Sequence, residues 1–343
     1  MKFSKMMKFA VATMAGLSLA GSVYAQAKAN PKWPTNLTLG TASVGGTYFV
    51  YGQVWASLVN EKIGTNISTQ QTQGPNQNII LTDSKQTDFG MVTMGVALQA
   101  WKGEGEWTKG QKFNNIRAIF PMYDTPFHFV TLEKSNIKSV KELAGKKAGV
   151  GPRAGTCGTY FPLMFKAIGL DVTVRNGQAS DMAANLQDGL IDAFPFCAGL
   201  PIAAYSELEN TTKVRYLTFS DDELKKIKAA MPELSDSVVP KSTYKQMAAD
   251  QKTVGLFNFA IAHKDVSDDL VYAVVKAVLE NNPQLVKGHA AGKETVLQNW
   301  NKNGFLQNWN KNGFLPFHPG AVRYFKEKGI TIPKNLLPPE YKG

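Results

Sequence analysis

Metal and thiol chemistry have little to work with in this sequence. Its 343 residues include only two cysteines, Cys157 and Cys197, and four histidines, His128, His263, His289 and His318. None of these falls into a Cys-x-x-Cys or His-x-x-x-His spacing, so no metal site is expected. Nucleotide loops are missing as well. The glycine-rich segment Gly149-Val-Gly-Pro-Arg-Ala-Gly-Thr156 is not closed by Gly-Lys-Ser/Thr, and its G-x-G-x-x-x-G spacing misses the dinucleotide fingerprint by one residue. No cofactor is therefore expected. No basic stripe interleaved with aromatics appears, which excludes nucleic acid as the expected partner. Nor is any apolar run long enough to span a bilayer: the segment Phe9 to Ala20 is about half of the ~20 residues required.

That short run reads differently as an export signal. Lys2, Lys5 and Lys8 precede it, and Val23-Tyr24-Ala25 follows with the small-x-small pattern of signal-peptidase sites. Residues 1–25 are thus expected to be a signal peptide cleaved after Ala25, with the remainder delivered to the periplasm. Cleavage would remove three of the 38 basic residues and none of the 27 acidic ones, lowering the formal charge from +11 to +8. A basic balance attracts anions at long range. Part of it belongs to a mixed, solvated helix face, where Lys225-Lys226-x-Lys228 follows Asp221-Asp222-Glu223.

About 318 residues remain, more than one core comfortably serves, so two lobes are expected. The pattern agrees. Short apolar strands alternate with helical segments: strand 36–40, helix 48–62, strand 66–70, helix 75–82, strand 88–92, helix 95–101. Two apolar strands follow, 116–122 and 127–132. The rhythm then starts afresh with a short helix at 139–144, strand 147–151, helix 158–168, strand 172–175, helix 181–188 and strand 191–194. A late apolar strand at 255–262 and a helix at 268–280 return the chain to the first lobe. Such alternation implies an α/β fold with mostly parallel sheets covered on both faces. Residues 26–125 and 253–343 form lobe I in this reading and 126–252 form lobe II. The crossings near 124–126 and 250–252 act as a hinge. Ligands of open α/β sheets sit beyond the carboxyl ends of the strands, here a cleft shared by both lobes.

The loops at those strand ends carry the candidate site. Thr41-Ala-Ser-Val-Gly-Gly-Thr47 opens a helix, so Gly45, Gly46 and the amides of Thr47 and Tyr48 offer an anion site, with hydroxyls on Thr41, Ser43, Thr47 and Tyr48 as further donors. Gly74, Asn76 and Asn78 open the next helix, and Thr93 ends the third strand. In lobe II, Gly155 and Thr156 repeat the arrangement, and Arg153 is either a bidentate partner for a carboxylate or a solvated loop arginine. Phe196 and Ala198 follow the strand 191–194. Tyr48, Tyr160 and Phe196 either wall the cleft or pack in a core. Cys157 is either a nucleophile at a helix N-terminus or half of a disulfide. The usual strand order of such a lobe places Cys157 and Cys197 past the same ends of adjacent strands, which favours a disulfide worth about 4 kcal/mol.

Several ordered motifs resemble one known family. They are Gly40-Thr-Ala-Ser-Val-Gly-Gly-Thr-Tyr48, Asp88-Phe-Gly-Met-Val92, Ile137-Lys-Ser-Val-Lys-Glu-Leu-Ala-Gly-Lys146, Asp188-Gly-Leu-Ile-Asp-Ala-Phe194, Ala198-Gly-Leu-Pro201, Asp268-Asp-Leu-Val-Tyr272 and His318-Pro-Gly-Ala-Val-Arg-Tyr324. Together they are similar to the TAXI solute receptors of tripartite ATP-independent periplasmic (TRAP) transporters. The resemblance implies a type II periplasmic binding protein fold and delivery of a small carboxylate or amino acid, such as glutamate or 2-oxoglutarate, to TRAP membrane permease subunits. It implies no catalysis, and a monomer is expected. The loops Thr72-Gln-Gly-Pro-Asn-Gln-Asn78 and Gly151-Pro-Arg-Ala-Gly-Thr-Cys157 depart from the family's usual forms, so the identity of the solute does not carry over. A periplasmic enzyme using Cys157, or a ligand sensor for a membrane signalling protein, are the competing readings. One oddity stands apart: Leu-Gln-Asn-Trp-Asn-Lys-Asn-Gly-Phe occurs at 297–305 and again at 306–314. Two copies are too few for a solenoid, and a tandem duplication in a surface loop without function is expected.

Overall fold

The computed structural model describes residues 30–300 and 314–342. The expected signal peptide, its cleavage site and most of the duplicated stretch lie outside the described residues.

In chain order the first unit comprises β1 (Leu37–Gly40), α1 (Thr47–Ile63), β2 (Ile67–Gln70), α2 (Pro75–Asp83), β3 (Phe89–Thr93) and α3 (Met94–Lys102). A long strand, β4 (Ile116–Leu132), leads to β5 (Lys147–Gly149), α4 (Thr156–Ala167), β6 (Thr173–Arg175), α5 (Ala179–Gln187), β7 (Phe194–Cys197), α6 (Ala203–Thr211), β8 (Val214–Leu217), α7 (Asp221–Ala230) and β9 (Ser235–Val239). A second long strand, β10 (Gln251–His263), brings the chain back to α8 (Asp268–Glu280), α9 (Asn282–Gly288) and α10 (Pro319–Glu327).

The fold is α/β and two-lobed, of the type II binding-protein class. In the first lobe β1 pairs in parallel with β2 and β3, and β10 inserts antiparallel between β3 and β4. The second lobe repeats the order. There β5 pairs in parallel with β6 and bridges Ala193 just before β7, while the far half of β4 lies antiparallel between β7 and β8. Within each lobe the αβ crossovers thus deliver helix N-termini to the same sheet edge.

The structure joins what the sequence separates. Instead of strands at 116–122 and 127–132, one continuous strand runs from Ile116 to Leu132. At Pro126 and Phe127, within the segment read as a crossing between lobes, it exchanges its partner, leaving β10 for β7, without a break in the strand. The Asp124 carboxylate accepts the Thr125 amide at 2.8 Å, so the chain's polar groups stay satisfied in an extended backbone. The segment expected as a short helix near 139–144 is a single 3-10 turn, Val140–Leu143. The strand read at 191–194 begins later, at Phe194, and runs on to Cys197, because Pro195 and the aromatic residues on either side are drawn into pairing with β4.

Packing explains why these segments hold. Helix α1 buries Tyr48, Tyr51, Gly52, Trp55, Leu58 and Val59, an i, i+3, i+4 stripe facing the sheet. Trp55 meets Phe89 and Phe120 edge-on at centroid distances of 5.9 and 5.7 Å. In the second lobe Phe129 plays the corresponding part against Phe161 and Phe219.

One core residue ties stability to pH. The fully buried His128 sits between the Pro126 carbonyl, 3.2 Å from Nδ1, and the Tyr244 hydroxyl, 3.1 Å from Nε2. The carbonyl only accepts, so Nδ1 carries the proton and Nε2 receives the Tyr244 hydroxyl. A second proton would leave two donors in a dry site, and burial pushes the ring's pKa down from 6.5 to about 4. The unfolded chain therefore binds this proton below about pH 6.5 and the folded one only below about pH 4, so stability is full above that window and falls through it. For one such histidine the loss is roughly 3 kcal/mol. Thermal midpoints measured from pH 7 to 4.5 are expected to fall, and His128→Gln is expected to make that slope shallower.

Candidate functional site

Between the lobes lies a cavity of about 40 Å³. Its walls are the starts of four helices. Gly46, Thr47 and Tyr48 come from α1, Gly74 and Pro75 from α2, Thr93 from the cap of α3, and Gly155, Thr156 and Cys157 from α4. Phe196, Cys197 and Ala198 close the side of the second lobe, and Thr125 of β4 forms part of the back.

These four helices share a local property. None of α1, α2, α3 or α4 has a side chain capping its N-terminus. Helix α7 by contrast has a full Ser220–Glu223 capping box, and α8 is capped by Ser267. The first amides of a helix have no partner within it. Those of α5 and α6 are met from the opposite lobe: Ser180 and Ala204 donate to the carbonyls of Val44 and Gly45 at 3.2 and 3.1 Å. At the cavity α1 instead presents Thr47 and Tyr48 and α4 presents Thr156 and Cys157 of their first turns, while α2 and α3 reach it through Gly74, Pro75 and Thr93, and the dipoles of the four helices add positive potential there. Among the described residues no charged side chain lines the cavity.

The sequence-derived candidates divide cleanly. Gly46, Thr47, Tyr48, Gly74, Thr93, Gly155, Thr156, Phe196 and Ala198 line the cavity. Thr41, Gly45, Asn76, Asn78 and Arg153 do not. Asn78 is a strut, donating to the carbonyls of Thr41 and Met91 at 2.9 Å each, while Thr41 bonds the Gln70 carbonyl. Asn76 reaches across to Thr159 of α4 at 3.2 Å. Gly45 turns the loop with φ of 84°, and a Cβ there would stand 2.9 Å from the Ser180 amide. Arg153 is exposed and makes no hydrogen bond or ion pair among the described residues, because its loop turns the side chain out to solvent. Tyr160 is core: fully buried, it donates to Glu233 at 3.0 Å. Sequence reasoning missed Gln73, Pro75, Pro152 and Thr125 as wall residues, and Asn258 behind Tyr48. Thr125 had a signal, since it sits in the crossing segment that must flank a shared cleft.

Cys157 and Cys197 form a disulfide with Cα atoms 5.6 Å apart, closing a loop across a separation of 40 residues. The Cys157 thiolate that a nucleophile needs is therefore not present. Tyr48 is the one titratable side chain in the wall among the described residues, and burial raises its pKa well above the ordinary value, keeping the phenol protonated. Among the described residues no cluster of three or more His, Cys, Asp or Glu side chains is arranged to hold a metal, and no helix is long and apolar enough to cross a membrane.

The NMT1-like family matches residues 39–329. The chain belongs to that family. Solved structures share the fold of this NMT1-like protein at low identity. The periplasmic binding protein BugD is 15% identical with a TM-score of 0.57, over 88% of this chain and 99% of its own. MatC from Rhodopseudomonas palustris, with bound malate, is 12% identical with a TM-score of 0.53, over 76% and 90%. A structure described as a periplasmic transporter is 16% identical at a TM-score of 0.50, over 76% and 87%.

The two lobes of the NMT1-like protein meet through positions that lack side chains. Gly74 and Gly155, the caps of α2 and α4, face each other, so a Cβ on Gly74 would lie 3.1 Å from the Gly155 Cα. A Cβ on Gly95 of α3 would collide with the Tyr160 hydroxyl of α4. Gly95→Ala is expected to hold the lobes apart and weaken ligand binding by roughly 1–3 kcal/mol, the scale of an overpacked contact. Titration calorimetry measures the loss, and small-angle scattering with saturating ligand is expected to show a larger radius than the parent protein.

Proposed function

We propose that this chain is the periplasmic receptor of a solute transporter of the TRAP type, capturing one small anionic solute, a carboxylate or an amino acid such as glutamate, and passing it to membrane permease subunits. The observation that carries the reading is the convergence of four uncapped helix N-termini, three from one lobe and one from the other, on a single small cavity. Neutral amides in a water-poor space bind an anion and need no counter-charged side chain. The family membership, the fold and the motifs similar to TAXI receptors support the transport role. Residues 26–125 and 253–343 are the lobe we assign to α1–α3, and 126–252 the lobe of α4–α7. Motion between them bends β4 and β10, where both strands cross. A ligand that touches both lobes binds the closed form better and so draws the lobes together.

The cystine removes the basis of the nucleophile reading. No observation favours a signalling receptor over a transport receptor.

Isothermal titration of purified protein against small carboxylates, and against matched alcohols and amines, tests the proposal. Binding confined to anions supports it; an affinity for none of the anions would overturn it. Because Arg153 points to solvent, Arg153→Ala is expected to change the affinity by no more than about 0.5 kcal/mol, the size of an ordinary surface substitution.

A further inference from the structure

We infer that the cavity is built to read a neutral hydroxyl group beside the ligand's anionic end, which makes the solute a small hydroxycarboxylate, and that Tyr48, Thr125 and Asn258 set this preference. The inference rests on the reading above that the cavity takes an anion.

The hydrogen-bond directions around Asn258 are fixed by their chemistry. Asn258 is fully buried on β10, and its Nδ2 donates to the Tyr123 carbonyl, which can only accept. That orients the amide. Nδ2 also donates to Thr125 Oγ1 at 2.7 Å, and Oδ1 therefore receives the Tyr48 hydroxyl at 2.5 Å. The proton of Tyr48 is committed to Asn258, so what the Tyr48 oxygen presents to the cavity is an acceptor. Thr125 already accepts from Asn258, so its own proton is left to donate. Both residues line the cavity. The Thr47 hydroxyl is likewise spent, on the Gly199 carbonyl.

One donor and one acceptor held side by side by the same amide suit a group that both accepts and donates. A hydroxyl does so. A keto oxygen satisfies Thr125 but sets its lone pairs against those of Tyr48. A methylene satisfies neither and leaves two buried polar groups unpaired. An ammonium can donate to Tyr48, but no carboxylate among the described wall residues offsets its charge, and it would sit in the positive field of four helix ends. The C2 substituent of the ligand is thus discriminated by polarity rather than by size.

Two matched series test this: lactate, propionate, pyruvate and alanine, and malate, succinate, oxaloacetate and aspartate, each titrated calorimetrically into the full protein stripped of co-purified ligand. In at least one series the hydroxy acid is expected to bind roughly tenfold tighter than its deoxy and oxo analogues, as for a site left with unpaired polar groups, and the amino acid weakest. In Tyr48→Phe the preference of hydroxy over deoxy acid is expected to shrink to about twofold. Retained binding of the deoxy acid, together with the thermal midpoint of the variant, reports that the fold and the anion site persist. An amino or oxo acid binding as tightly as the hydroxy acid would overturn the inference and leave the anion reading standing. A preference unchanged in Tyr48→Phe would overturn the role of Tyr48. Binding of no acid in either series by the parent protein would overturn the anion reading, and this inference with it.

Discussion

Orphan amides at helix N-termini govern this architecture. Each αβ crossover ends with backbone N–H groups that the helix itself does not satisfy. Buried without partners they would destabilise the fold. Side chains cap α7 and α8, and the ends between the lobes are placed in two further ways. Those of α5 and α6 receive the carbonyls of Val44 and Gly45 from the opposite lobe. The first turns of α1 and α4 line the central cavity, where an anionic ligand is the partner we propose. The same loop, residues 41–47, clasps the second lobe through its carbonyls and leads into the first turn of α1 at the cavity wall.

Glycine is what lets these ends come close. Gly45, Gly74, Gly95 and Gly155 stand where the lobes approach, and each lacks the Cβ that would part them. The glycines of the loops are therefore contact residues first. Gly45, chosen as a ligand contact on sequence grounds, serves this docking role instead. The cystine joining Cys157 and Cys197 fixes the second-lobe wall at the start of α4 and the end of β7, so that wall moves as a unit.

Polarity in the cavity is arranged without charge. Arg153 looked like the natural partner for a carboxylate because it lies in the loop before α4, yet it faces solvent. In the binding mode we propose, backbone amides take the place of an arginine and leave the hydroxyls to distinguish neighbouring substituents. The Asn258 amide fixes the roles of Tyr48 and Thr125 from behind. It is on β10, more than a hundred residues from either, and no local pattern connects them.

Sequence alone determined most element types up to residue 194, the late strand and helix at 255–280, the duplicated α/β rhythm and the strand-end loops, because hydrophobic period and glycine punctuation are local properties of the chain. It also singled out the cysteine pair and most wall residues at the helix starts, since the first amides of a helix lack partners within it and the loops that lead there are legible in the chain. The tertiary structure decided the rest. Whether 116–132 is one strand or two depends on β7 taking over from β10 as partner. Which loop residues face the cavity, as Thr156 does, and which brace it, as Asn78 does, depends on the direction of side chains once both lobes are packed. The direction in which the Tyr48 hydroxyl points its proton is set by a carbonyl at Tyr123, through an amide on a third strand. Such long-range hydrogen bonds arise only when the chain has returned, and they leave no trace in the spacing of residues.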